Sequence, residues 1–165
     1  QRDAKLLRSL VPSAALRSPL RPTLCIMSRD ITTFRANCRN CKQTFAHPSL
    51  GDFGYGEAIL CSVDGKHYAT VSAFSEFPQR VRDFMPSTSS NFWAVLASLA
   101  DSIDGKGYSP NIHCPFCSSN DIEFWEGERI GVTSVPEALF VGASALPEHD
   151  LKILVAKIGE GVSNA

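Results

Sequence analysis

No stretch of this 165-residue chain approaches the eighteen or so consecutive apolar residues that a membrane-crossing helix needs, so a helical span is excluded. A dominant charge sign is missing too, since 16 basic and 17 acidic side chains leave a net charge of −1. The chain has no Gly-rich phosphate loop, no Ser-His-Asp spacing and no carboxylate pair of recognisable geometry, and nothing else in it marks an enzyme. Low-complexity runs are absent, and the only repeated unit is a CxxC pair. With 44% apolar and 20% charged residues, the composition is that of an ordinary globular domain.

The near-zero charge hides an uneven distribution. Residues 1–26 carry Arg2, Lys5, Arg8, Arg17 and Arg21 against Asp3 alone, a net +4, which leaves eleven basic and sixteen acidic side chains from Met27 onward, a net −5. Residues 1–27 are expected to be a leader or an upstream extension without structure. An Arg- and Ser-rich mitochondrial targeting peptide is the alternative, and a secretory signal fits less well because three prolines interrupt the apolar stretch.

Further along, β-branched and aromatic residues at Ile31–Phe34 and Thr44–Phe45 flank Cys38-Arg39-Asn40-Cys41, which predicts strand, knuckle, strand. From His47 to Gly56, three glycines and a proline predict a loop. Asp64-Gly65 between Ala58–Val63 and Lys66–Phe74 predicts a hairpin whose turn has two positive φ values and sets Cys61 opposite Tyr68. Phe77, Val81 and Phe84 mark a short helix ended by Pro86. Phe92, Val95, Leu96, Leu99 and Ile103 mark a second, capped by Ser89 or Ser90 and stopped at Gly105. After Cys114-Pro115-Phe116-Cys117, the runs Asp121–Trp125 and Arg129–Val135 predict a hairpin turning at Glu126-Gly127-Glu128. Gly142–Ala145 has the composition of a linker. Pro147, followed by Leu151, Leu154, Val155 and Ile158, predicts a C-terminal helix ending before Gly159, with a loose tail after Gly161.

The cysteines carry the strongest chemical signal. Four of the six form two CxxC units, a spacing that suits a metal site or a redox couple better than a disulfide framework, and points to a reducing, cytoplasmic setting. A CxxC turn presents two sulfurs on one side of a tight loop, and a second turn completes a tetrahedron around zinc. Cys38, Cys41, Cys114 and Cys117 thus resemble the four ligands of a zinc ribbon, over about residues 31–45 and 111–125. Two departures stand out: 72 residues separate Cys41 from Cys114, and Lys42 and Ser118 stand where ribbons often place glycine. The resemblance implies a ribbon that stabilises a module gripping a protein or nucleic acid. A four-thiolate iron site shares the spacing, so iron is possible. Cys114-Pro115-Phe116-Cys117 is also similar to the redox motif of glutaredoxins, but no helix-forming sequence follows it. A zinc deaminase is excluded because no histidine begins a His-x-Glu segment and His113, not proline, precedes Cys114. Four thiolates leave no open position for water, which makes such a metal structural.

Other candidates follow from residue type. Arg35, Arg39 and Lys42 form a small basic patch beside the first knuckle, and Phe53 and Tyr55 sit in a glycine-rich loop that either offers an aromatic platform or folds back onto the sheet; the second is expected. Cys61 is expected as a buried small hydrophobe, and Trp93 and Trp125 as packing residues. The sequence therefore predicts an α+β fold: a zinc-ribbon-like antiparallel sheet with an inserted hairpin and helices over residues 28–140, then a linker and C-terminal helix over 141–165. The expected function is a zinc-stabilised protein-binding module. A nucleic-acid-binding ribbon, disfavoured by the acidic body, and a thiol-disulfide redox protein are the alternatives; no membrane partner is expected.

Overall fold

Alternating β-branched and aromatic residues before the first knuckle make a long first strand, β1 (Ser28–Cys38), which turns through the knuckle into β2 (Thr44–Pro48). The computed structural model describes residues 27–51, 54–86 and 89–163; the expected leader up to residue 26, Cys25 included, and Phe53 lie outside these. β3 (Glu57–Ser62) and β4 (Tyr68–Ser72) form the inserted hairpin, followed by α1 (Glu76–Asp83), α2 (Phe92–Leu99) and the two-residue β5 (Tyr108–Ser109). β6 (Ile122–Pro136), the single turn α3 (Val141–Ser144) and α4 (Glu148–Ser163) complete the order. Two antiparallel three-stranded sheets result, β2-β1-β6 and β4-β3-β5, giving an α+β fold with a C-terminal helix.

The predicted second hairpin is not formed. Residues 122–136 are one strand running antiparallel to β1, from Cys38 opposite Ile122 to Ser28 opposite Pro136. Glu126-Gly127-Glu128 is a bulge: between Ala36 opposite Phe124 and Phe34 opposite Arg129, β1 advances two residues and β6 five. The reason is that β1 offers an uninterrupted partner on both sides of the glycine. Glu128 is tied to Arg35 at 2.8 Å, Glu126 accepts the Ser49 hydroxyl, and the Trp125 ring covers Gly127 so closely that a Cβ there would lie 2.8 Å from it. Trp125 is consequently 73% exposed rather than a packing residue, whereas Trp93 is half-buried against the core.

The inserted hairpin keeps its expected register, with Cys61 opposite Tyr68 and buried. Its turn differs, because Gly65 alone has a positive φ, of 74°. The Gly65 N–H donates to the Ser62 carbonyl, while the Asp64 carboxylate accepts from the Ser62 hydroxyl and the Lys66 N–H, which holds Asp64 out of the left-handed region. The turn with two positive φ values occurs instead at Asp104 (49°) and Gly105 (72°), where Ile103 and Lys106 exchange backbone hydrogen bonds. Gly105 thus turns a loop rather than stopping a helix. α2 ends earlier because Ala100 is extended and the Asp101 N–H donates to the Leu139 carbonyl. The Asp101 carboxylate in turn accepts the Val141 and Gly142 N–H groups, so the expected linker becomes the start of a helical turn.

His47 and Pro48 belong to β2 rather than to a loop, pairing with Phe34 and Thr33; β2 is an edge strand, where proline is tolerated. Asn91 rather than Ser89 or Ser90 caps α2. α4 runs through Gly159 and Gly161 to Ser163, since neither glycine has the positive φ that ends a helix.

Two hydrophobic cores result. The larger joins the second sheet to the helices through Leu60, Val71, Val81, Val95, Leu96, Leu99, Leu151 and Val155, so α4 packs as part of the body. The smaller lies under the knuckles and holds Ala36, Cys38, Phe45 and Cys114. The sheets meet at Thr70, which bridges to Glu137 and accepts the Ala138 N–H at 2.8 Å. The hairpin tip also backs onto the second knuckle. A Cβ on Gly65 would lie 2.4 Å from the His113 carbonyl oxygen and 2.6 Å from the Cys114 carbonyl carbon. Gly65→Ala meets both this clash and a left-handed backbone, so it should lower stability in urea denaturation by about 2 kcal/mol or more. An unchanged midpoint would show that the hairpin tip and knuckle are free to part.

Candidate metal centre

The two knuckles are built alike. Cys38 closes β1, and its N–H donates to the Gln43 carbonyl while its own carbonyl accepts the Lys42 N–H, both at 2.9 Å. In the second, the Cys114 N–H donates to the Ser119 carbonyl and its carbonyl accepts the Ser118 N–H, both at 2.8 Å. This ring of bonds requires the residue after the second cysteine to turn left-handed, and Lys42 (φ 61°) and Ser118 (φ 60°) do so without being glycine. At both knuckles a non-glycine residue thus takes the left-handed turn that glycine would take at lower cost.

Pairing of β1 with β6 brings the two loops face to face despite the long insertion, since Cys38 sits opposite Ile122, just beyond the second knuckle. The Sγ atoms of Cys38, Cys41, Cys114 and Cys117 all lie within 4.8 Å of one another, an arrangement that can hold a metal ion. Across the knuckles, Cys38 to Cys117 and Cys41 to Cys114 are each 3.6 Å, well beyond the roughly 2.05 Å of a disulfide. Cys38 and Cys114 are buried in the small core, Cys41 is half-buried and Cys117 exposed. The Asn40 amide donates to the Cys117 sulfur at 3.7 Å, a contact with no mark in the sequence beyond a polar residue inside the knuckle.

Four thiols this close cannot all ionise unaided. The Ser119 N–H favours the Cys117 thiolate and, with its sulfur and Asn40 contacts, draws it down to about 7. At Cys41 the Gln43 N–H also favours the thiolate, but desolvation and the three neighbouring sulfurs prevail and push it up to about 12. A divalent cation reverses this by neutralising the shared charge. His113 lies outside the cluster of four sulfurs, and its Nδ1, 3.1 Å from the Ser118 carbonyl oxygen, braces the loop.

The other predicted surface residues are not gathered into one patch of free charge. Arg35 pairs with Glu128, and Arg39 with Asp121 at 3.8 Å. These carboxylates could not be assigned from sequence, because they lie 93 and 82 residues from their partners. Tyr55 does not fold back: it is 88% exposed and stands 6.2 Å from the ring of Phe74. No helix among the described residues is long and apolar enough to cross a membrane. Comparison with protein-family models, curated proteins and solved structures finds no match to this chain.

The left-handed residues give a direct test of knuckle geometry. Lys42→Gly and Ser118→Gly should each stabilise the metal-loaded protein by about 0.5–1 kcal/mol in urea denaturation, the relief of the left-handed backbone exceeding the added freedom of the unfolded chain. Loss of stability in both variants would contradict the backbone described here.

Proposed function

We propose that Cys38, Cys41, Cys114 and Cys117 hold one structural zinc ion, and that the protein is a zinc-stabilised binding module for a protein partner in the cytoplasm. The observation that carries the first half is the convergence of four sulfurs from two matching loops. Tetrahedral thiolates about 2.3 Å from zinc stand about 3.8 Å apart, close to the 3.6 Å across the knuckles. The donor set is closed, with four sulfurs and no vacant position, which favours a structural over a catalytic role. When bound, the ion supplies the charge that lets all four thiolates coexist.

The chain's own residues do the rest. Asn40 and the Ser119 N–H direct donors at Cys117, and Ala36, Phe45, Ile122 and Phe124 exclude water from the buried side of the site. A protein rather than a nucleic acid is supported as partner by the pairing of Arg35 and Arg39 with carboxylates and by the net −5 from Met27 onward. Tyr55 and Phe74 form an exposed aromatic pair of the kind that protein interfaces use.

Metal analysis of protein purified without added metal should find one zinc per chain, lost in both Cys38→Ser and Cys114→Ser. A reversible Cys114–Cys117 disulfide in metal-free protein would overturn the zinc assignment in favour of redox chemistry. Salt-dependent retention on polynucleotide would overturn the choice of partner, and none is expected.

A further inference from the structure

The four clustered cysteines differ in what can reach them. Cys38 and Cys114 are 1% and 0% exposed and Cys41 is half-buried, whereas Cys117 is exposed, as is Phe116 beside it. A small dissolved reagent therefore meets the cluster first at Cys117.

The closest sulfur contacts divide the four into two separate pairs, and both run between the knuckles. Cys38 faces Cys117 and Cys41 faces Cys114, each at 3.6 Å. The Asn40 amide, which belongs to the first knuckle, donates to the Cys117 sulfur and holds it toward that side. Within the second knuckle, Cys114 is fixed by its backbone bonds to Ser118 and Ser119 and is backed by the hairpin tip at Gly65. A Cys114–Cys117 bond has to draw this braced loop in on itself. A Cys38–Cys117 bond asks only that two facing loops close from 3.6 Å to the roughly 2.05 Å of a disulfide.

We propose that Cys117 is a site of oxidation by hydrogen peroxide, and that it passes the oxidation to Cys38 as a disulfide across the two knuckles. This rests on the zinc reading above, because metal-held cysteines are thiolates and the thiolate is the form that attacks peroxide. The Cys117 sulfur takes one peroxide oxygen: an S–O bond forms, the O–O bond breaks, and the other oxygen leaves as hydroxide. Cys38, shielded from the oxidant, then attacks the Cys117 sulfur; the S–S bond forms, the S–O bond breaks, and a second hydroxide leaves. The two sulfurs give up one electron each, the peroxide accepts both, and two protons from solvent turn the hydroxides into water. Two of the four zinc ligands are thereby lost, and a second peroxide joins Cys41 to Cys114 in the same way. The ion is released while the disulfides keep β1 and β6 joined at the knuckle end, and a thiol reductant restores the ligands.

The test is peroxide treatment of the full-length, zinc-loaded protein, with released zinc read by a coloured chelator and the disulfides mapped by mass spectrometry. Trypsin and chymotrypsin together place each of the four cysteines in its own fragment, because Arg39 separates Cys38 from Cys41 and Phe116 separates Cys114 from Cys117. The first link expected is Cys38 to Cys117. It closes a long loop and so speeds migration on a non-reducing denaturing gel, which a Cys114–Cys117 link does not. Reduction should restore zinc binding. Cys117→His keeps four zinc donors without the exposed thiolate and should slow zinc release by about tenfold or more. Mapping in the unaltered protein keeps the test decisive if that variant fails to fold. A first link between Cys114 and Cys117, zinc release without any disulfide, or undiminished release from folded Cys117→His would each overturn the proposal and leave the zinc reading standing. Protein that carries no zinc as purified would overturn both.

Discussion

Four cysteine sulfurs drawn into one small volume are the constraint around which the knuckle end of the β2-β1-β6 sheet is organised. The core beneath them has four buried residues, and two of these, Cys38 and Cys114, are themselves members of the cluster. Apolar burial on that scale stabilises little. The contact between the knuckles is also made by groups that cannot all ionise together, so a shared positive charge is what would let four thiolates occupy one volume. A structural metal in small domains contributes on the order of 10 kcal/mol of apparent free energy, enough to reverse that balance.

The long insertion is compatible with this arrangement for two physical reasons. Closing a loop of 72 residues costs only slightly more entropy than closing a short one, because the cost rises logarithmically. The insertion also has a larger core of its own, in which the β3–β4 hairpin, α1 and α2 pack with α4. Its own packing therefore does not depend on the cysteine cluster. It meets the β2-β1-β6 sheet through Gly65 against His113 and Cys114, through Thr70 against Ala138, and through side-chain contacts that include Glu57 with Arg29. Gly65 places the hairpin tip directly behind the Cys114 knuckle, so the geometry of the cysteine cluster and the seating of the inserted sheet are mechanically linked.

Much of this was legible in the residues. The CxxC spacings announced the cluster, and the Asp64-Gly65 register correctly set Cys61 opposite Tyr68 because side-chain alternation fixes pairing once a turn is placed. The errors share a cause, which is that local patterns do not reveal distant partners. Glu126-Gly127-Glu128 has turn composition, yet β1 captures both flanking segments and the glycine becomes a bulge. Gly142 and its neighbours have linker composition, yet Asp101, forty residues earlier, caps them into a helical turn. The basic patch at Arg35 and Arg39 is locally unopposed, and its carboxylates arrive only with β6 and the loop before it. His47 looked like the start of a loop because Pro48 follows it, but an edge strand accepts proline and carries the histidine into a buried wall.

The central claim, that a single ion is held by four thiolates and nothing else, is tested most directly by X-ray absorption at the metal edge of the protein as purified. The account predicts a zinc edge with a first shell of four sulfurs at about 2.3 Å and no lighter ligand. A shell containing nitrogen or oxygen, or a sample without bound metal, would contradict it.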